Sequence, residues 1–124
     1  MSSKPDVVKV GPQLFRIIYR SRSEDGMLND NNYGYILDSA NIIVIDSAAP
    51  LNKQQTTLWH ELFHAARMTF DSGARPANDL EFDDLEHHFI GIWEASLLTI
   101  LKDNPELTLW LTKEDTWNKG RKAQ

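Results

Sequence analysis

Residues 42–70 read IIVIDSAAPLNKQQTTLWHELFHAARMTF, an apolar run followed by a long segment without glycine. The first four residues are apolar on both faces, which predicts a strand at the centre of a sheet. Pro50 suits the first turn of a helix, and Leu51 to about Thr69 contains no helix breaker. This stretch therefore predicts a central strand that leads directly into a long helix.

The residues before this stretch predict further strands. Runs rich in β-branched and aromatic side chains lie at residues 7–10, 14–20 and 33–37. The last of these runs and residues 42–46 form a natural hairpin, because the turn signal Asp38-Ser-Ala-Asn41 lies between them. The polar segment 21–32 is rich in Asn and Asp and predicts a loop.

The residues after it predict two more helices. A second helix is expected from about Asp83 to Lys102, with Asp83 as its N-cap and Glu86 at the capping-box spacing. Asn104-Pro105 ends this helix, and Asn104 then caps a short third helix that reaches about Lys113. Strands followed by helices predict an α+β fold, with a small, mostly antiparallel sheet of three or four strands.

Length and composition limit the classes of protein that fit. The chain has 124 residues, 41% of them apolar and 25% charged, which predicts one folded domain over residues 1–124, with an ordered core over about 6–113 and a polar tail over 114–124. Its net charge of −5 disfavours nucleic-acid binding. No run approaches the roughly 20 apolar residues of a membrane span, and the polar N-terminus has no secretory signal. We therefore expect a cytoplasmic protein with neither a nucleic-acid nor a membrane partner.

His60-Glu61-Leu62-Phe63-His64 is an H-E-x-x-H motif inside the predicted first helix. Residues four apart lie on one helix face, with about 5–6 Å between their Cβ atoms, so two imidazoles there can bind one zinc ion. Glu61 is turned about 100° from His60, where it can flank the metal and take a proton from an activated water. Because the chain contains no cysteine, a transition metal must be held by imidazole and carboxylate groups.

The apolar residues around the motif predict a largely buried helix. They form two stripes, one of Leu58, Leu62 and Ala65 and one of Trp59, Phe63, Ala66 and Phe70. His60 and His64 lie on a third stripe. In a buried helix their ring nitrogens need a partner, which a metal ion supplies.

A catalytic zinc site also needs a third protein ligand and an open position for water. The apolar stripe of the second helix, extended towards its beginning, reaches Glu86 or His87. Glu86 is the first choice and His87 the alternative. Glu86 also fits the capping box, and both His87 and His88 fit groups that orient the metal ligands.

Three segments resemble small metallopeptidase-like proteins of phages and prophages, which are related to the ImmA/IrrE family. They are Asn41 to Asp46, Thr57 to Ala65, and the helix ending Leu101-Lys-Asp-Asn-Pro-Glu-Leu107. The resemblance covers roughly residues 33–110 and implies a minimal zincin-like domain. It also implies that His60 and His64 bind zinc, that Glu61 is the base, and that an acidic ligand begins the next helix.

The sequence departs from the family pattern at this last ligand. Counted back without gaps from Asp103, the expected acidic residue falls near His87 and not at Glu86. Either a one-residue shift brings Glu86 into place, or His87 serves as a third imidazole ligand.

Three functions fit the sequence. The first is a zinc metallopeptidase whose peptide or protein substrate binds as an added strand beside residues 33–37 or 42–46. The second is a catalytically inactive, zincin-fold phage protein that binds another protein and keeps a structural metal. The third is an interaction module whose tryptophans serve packing and a partner surface, namely Trp59, Trp93, Trp110 and Trp117.

Overall fold

The computed structural model of the chain describes residues 3–71 and 82–114. In chain order its elements are β1 (Val7–Val10), β2 (Gln13–Arg20), β3 (Gly34–Leu37), β4 (Ile42–Asp46), α1 (Leu51–Phe70), α2 (Phe82–Asp103) and α3 (Pro105–Leu111). A four-stranded sheet followed by helices confirms the predicted α+β class. The predicted polar tail lies outside the described residues, apart from Glu114.

The sheet has mostly antiparallel pairings, as predicted, but its central pairing is parallel. The strand order is β1-β2-β4-β3. β1 pairs antiparallel with β2, and β3 with β4, whereas β2 and β4 run parallel with Ile17 opposite Ile43. The predicted hairpin of β3 and β4 is confirmed, and Asn41 completes its turn with a left-handed φ of 54°. β4 lies between two strands, and its residues 43–46 are all buried, as expected for a strand that is apolar on both faces.

One face of the sheet packs against α1. In β2, Phe15 and Ile17 are buried while Arg16 between them is exposed, as expected when alternate side chains point to opposite faces. The helix contributes Leu58 and Leu62, both fully buried. Burying a side chain of this size stabilises the fold by about 1.5–3 kcal/mol, so this interface holds α1 in place.

β3 lies at the edge of the sheet and runs alongside α1 in the same direction. Its first residue, Gly34, packs so closely on the helix that an added Cβ would come within 2.6 Å of the methyl carbon of Thr57. Just after β3, Ser39 lines one cavity together with Met68, near the end of α1. From Gly34 to Leu37 the strand advances about 10 Å, which corresponds to nearly two turns of the helix after Thr57. The strand edge therefore follows the helix past the H-E-x-x-H motif.

α2 packs on a side of α1 that the sheet does not cover, and the two helices run antiparallel. The rings of Phe63 and Trp93 pack together with their centroids 4.8 Å apart. Nearer the end of α1, Nε2 of His88 lies 3.3 Å from Oδ2 of Asp71. No helix in the described part of the chain is long and apolar enough to cross a bilayer.

Two helix caps differ from the prediction. α2 begins at Phe82, so Asp83 lies inside its first turn instead of before it. Asn104 precedes α3 as expected, but its side chain makes no capping hydrogen bond. Instead, its Oδ1 accepts the Lys9 N–H at 2.9 Å, and its Nδ2 donates to the Lys9 carbonyl at 2.8 Å. The side chain ties the helical half of the chain to β1, a contact that local spacing does not reveal.

Candidate metal centre

α1 presents His60 and His64 on one side, one turn apart. Both side chains are exposed, and their ring centroids lie 5.0 Å apart with an angle of 72° between the planes. Their Nε2 atoms are 3.3 Å apart. Together with Glu61 they form a group that could hold a metal ion, with one ligand atom from each residue within 4.8 Å of the others.

The separation of the two ring nitrogens fits a shared metal ion. Two donors that each lie about 2.0–2.1 Å from a tetrahedral ion are about 3.3 Å from one another. The same distance also lets one neutral ring donate a hydrogen bond to the other. Two imidazoles and a carboxylate suit zinc and its transition-metal neighbours, whereas calcium and magnesium prefer oxygen ligands.

Glu61 places a carboxylate beside the histidine pair. Its side chain is 6% exposed, and no hydrogen bond reaches its carboxylate from any described residue. Burial raises its pKa above the ordinary value, and the charges of His60 and His64 act in the opposite direction. Its oxygens are not among the fully buried atoms that lack a partner, so this carboxylate with a raised pKa is accessible from the cleft that it lines. Such groups are typical of sites that perform chemistry.

The burial of the motif differs from the expectation. The stripe of Leu58, Leu62 and Ala65 is fully buried, as predicted. In the other stripe Ala66 is fully buried, whereas its three aromatic residues are half-buried. The stripe of His60 and His64 is exposed, and the buried member of the motif is Glu61. The physical reason is that the sheet covers one side of α1 and α2 a second side, which leaves the histidine side open to solvent.

A cleft of about 230 Å³ opens beside His60 and Glu61. Its opposite wall is formed by residues 31–34, where the loop after β2 enters β3. Thr56 and Thr57 of α1 complete the lining. The sequence predicted this loop from its Asn and Asp content but assigned it no place in the site.

The loop between β2 and β3 is held by charged hydrogen bonds. Arg22 donates from Nε to Asp46 at 2.9 Å and from Nη1 to Asp30 at 2.7 Å. Asp46, at the end of β4, is fully buried. Asp25 accepts a hydrogen bond from the hydroxyl of Tyr35, and this bond is the main reason that the pKa of Asp25 lies below its usual value. These bonds anchor the wall of the cleft to the sheet.

The predicted third ligands, Glu86 and His87, lie in the first turns of α2 with exposed side chains. Neither belongs to the metal-binding group that α1 forms among the described residues. Their neighbour His88 contacts Asp71, which lies about two helical turns beyond His64. The structure therefore does not bring Glu86 or His87 to the histidine pair, and their role as ligands stays a prediction. The contact between Asp71 and His88 was not foreseen, because the sequence assigned Asp71 to a loop.

Comparison with known proteins adds no support to the metal-binding geometry of α1 and none against it. The chain matches no protein-family model, no curated protein and no solved structure. The relationship to the ImmA/IrrE family, a phage origin, zinc as the metal and a cytoplasmic location therefore stay predictions. The functional conclusion depends on His60, Glu61 and His64.

Proposed function

We propose that this protein is a zinc-dependent metallopeptidase in which His60 and His64 hold the metal and Glu61 is the general base. The observation that carries the proposal is the 3.3 Å separation of the two Nε2 atoms, which suits two ligands of one tetrahedral ion. The carboxylate beside them makes no hydrogen bond within the described residues. It is therefore available for proton transfer.

The three residues have separate roles. His60 and His64 bind the ion as neutral imidazoles. Bound zinc supplies Lewis acidity, which polarises a peptide carbonyl and makes water a better nucleophile. Glu61, turned away from the line between the two histidines, accepts the proton of the attacking water and passes it to the leaving amine.

The edge of β3 supports a peptide as the substrate. β4 is flanked by a strand on each side, so β3 is the strand next to the motif whose outer edge stays open within the described sheet. The start of β3 lines the same cleft as His60 and Glu61. An extended peptide that adds to this edge forms backbone hydrogen bonds with β3 and passes over the histidine pair.

An inactive protein-binding module with a structural metal is the alternative. A structural zinc site is closed by four protein ligands and a catalytic one is held by three. The described residues bring together only two imidazoles and Glu61, so the choice between these two functions depends on whether Glu61 performs chemistry. A plain interaction module has less support, because Trp110 is 1% exposed and Trp59 and Trp93 both pack on Phe63. Trp117 lies outside the described residues.

The variant Glu61→Gln separates the peptidase from the inactive module. Protein purified without a histidine tag is expected to contain about one zinc ion per chain, in both wild type and variant. The wild type is expected to cleave members of a mixed peptide library, and the variant to be slower by about 10²–10⁴-fold.

Glu106→Gln makes the same chemical change at an exposed glutamate of α3 and is the matched control, expected to keep the wild-type rate. Metal-free protein of equal stability would contradict the proposed site. Hydrolysis that survives Glu61→Gln would contradict the proposed mechanism.

A further inference from the structure

The outward face of α1 carries a line of basic side chains. Lys53, His60 and Arg67 follow one another at intervals of about two helical turns, so they lie on the same side of the helix. All three side chains are exposed. The one carboxylate in the sequence of α1, Glu61, is buried. The helix therefore shows solvent a basic face, although the chain as a whole has a net charge of −5.

The two cations at the ends of this line are not neutralised. Within residues 3–71 and 82–114, neither Lys53 nor Arg67 takes part in an ion pair. The ammonium of Lys53 lies 5.9 Å from the ring centroid of Tyr33, at the mouth of the cleft. The acidic residue one turn beyond Arg67, Asp71, is in contact with His88. As far as the described residues are concerned, both cations are therefore available to a ligand.

A peptide that adds to β3 must extend past both ends of this four-residue strand to reach the two cations. Lys53 and Arg67 each lie about 10 Å from His60 along the helix axis. An added peptide runs beside the same helix, because β3 does, and advances about 3.3 Å per residue. It reaches each cation about three residues from the point at which it passes the histidine pair.

We infer that the ligand of this face is an extended acidic peptide, with Asp or Glu about three residues before and about three residues after the bond that lies over the histidine pair. The inference rests on the proposed function, because it takes the peptide to lie along β3. Lys53 contacts one acidic side chain and Arg67 the other. Charge pairs of this exposed kind add little affinity each but select among partners.

Binding of labelled peptides to the zinc-loaded Glu61→Gln chain tests the inference without turnover. Three nine-residue peptides carry Asp, Asn or Lys at the third position on either side of the centre and are otherwise identical. By fluorescence anisotropy at low salt, we expect the Asp peptide to bind about two- to tenfold more tightly than the Asn peptide. Raising the salt concentration is expected to remove the difference, since exposed charges are screened.

Charge reversal at the two cations shows which residues set the preference. Lys53→Glu and Arg67→Glu are each expected to remove about half of the preference in free energy, and the double variant is expected to favour the Lys peptide. Lys102→Glu, the same change on the exposed surface of α2, is the control and is expected to leave the preference intact. Lys53→Ala and Arg67→Ala remove each charge without reversing it and are expected to reduce the preference for the Asp peptide by less. Thermal unfolding checks that each variant is folded.

The outcomes separate this inference from the proposed peptidase. A preference for the Asp peptide in a protein whose wild type cleaves no peptide would support the acidic ligand and contradict the peptidase. Cleavage without enrichment of Asp or Glu three positions from the cut bond would overturn the acidic ligand and leave the peptidase. Equal binding of the three peptides, binding of none, or a preference that survives the double reversal would also overturn it.

Discussion

Helix α1 is flanked by two walls of different construction. The loop wall, formed by β3 and the loop before it, is anchored by charged hydrogen bonds to the fully buried Asp46. The α2 wall packs through the rings of Phe63 and Trp93, and Nε2 of His88 lies 3.3 Å from Oδ2 of Asp71. Charge-assisted hydrogen bonds are directional and fix the positions of individual atoms, whereas the non-directional contact between apolar rings mainly fixes the distance between the two helices. The site is therefore defined more sharply on the loop side than on the side from which a third ligand was expected.

The largest effect is expected from the histidine pair, which belongs to neither wall. His64→Ala removes one of the two imidazoles and is expected to weaken zinc binding by more than about 100-fold. Loss of a group that only hydrogen-bonds to a metal ligand costs less, about 10–100-fold. Competition with a chromophoric chelator measures this affinity. His88→Ala removes a histidine of the α2 wall and is expected to leave the zinc affinity unchanged. Equal affinity in His64→Ala and wild type would mean that the metal binds elsewhere.

Breaking the loop wall is expected to reduce stability more than metal affinity. Asp46→Ala removes the buried partner of Arg22 and is expected to lower the free energy of unfolding by about 2–3 kcal/mol. The effect stays in this range because Arg22 is itself 38% exposed and can regain water. Urea unfolding measures the loss.

The control for this change is Asp103→Ala, which removes an exposed contact to Lys9 at 3.7 Å. It is expected to lose less than about 1 kcal/mol. Equal losses in the two variants would show that the loop is not anchored through Asp46.

The α2 wall is tested at Glu86 and His87. We expect Glu86→Gln and His87→Gln each to weaken zinc binding by less than about tenfold, because neither side chain belongs to the metal-binding group that the described residues form. Titration of metal-free protein with zinc measures both. A loss as large as that of His64→Ala at either position would identify the third ligand, and it would mean that α2 slides towards the pair when metal binds.

The smallest effect is expected from protonation of the loop wall. The pKa of Asp25 is lowered first by the hydrogen bond from Tyr35 and then by the N–H of Met27. A lowered pKa in the folded state stabilises the fold above the unfolded-state pKa, and this stabilisation is lost as the pH falls through the folded-state value. The free energy of unfolding is therefore expected to decline below about pH 4, and less steeply in Asp25→Asn. Urea unfolding between neutral pH and pH 3 measures the slope, and parallel profiles would contradict this account.

The parts of the site that could be predicted are those set by local geometry. The spacing of His60, Glu61 and His64 needs only the helical period, and the end of α1 at Phe70 lies one residue from the predicted one. The hairpin of β3 and β4 was predictable for the same reason, because its turn lies directly between the two strands.

Features set by distant contacts could not be predicted. The parallel pairing of β2 with β4 joins strands separated by a loop and β3. The loop forms a wall of the cleft because Arg22 binds Asp46, a residue that follows the loop and β3 in the chain. The apolar stripes of α1 indicated burial, but only the positions of the sheet and α2 decide that the side of His60 and His64 stays open. The position of Glu86 and His87 along α1, relative to the histidine pair, depends on how the two helices pack. A single sequence does not determine that packing.

The carboxamide of Asn104 has a consequence for how the protein meets other chains. Its oxygen and one of its N–H groups pair with the backbone of Lys9, and its Nδ2 also donates to the Ile100 carbonyl at 2.7 Å. Lys9 belongs to β1, the outermost strand opposite β3, where unpaired backbone groups invite aggregation with foreign strands. The Asn104 side chain covers the middle of that edge, and the ammonium of Lys9 lies beside it, 3.7 Å from Asp103. The β1 edge of the sheet is thus partly protected against pairing with foreign strands, whereas the β3 edge, beside the cleft, stays open to an added strand.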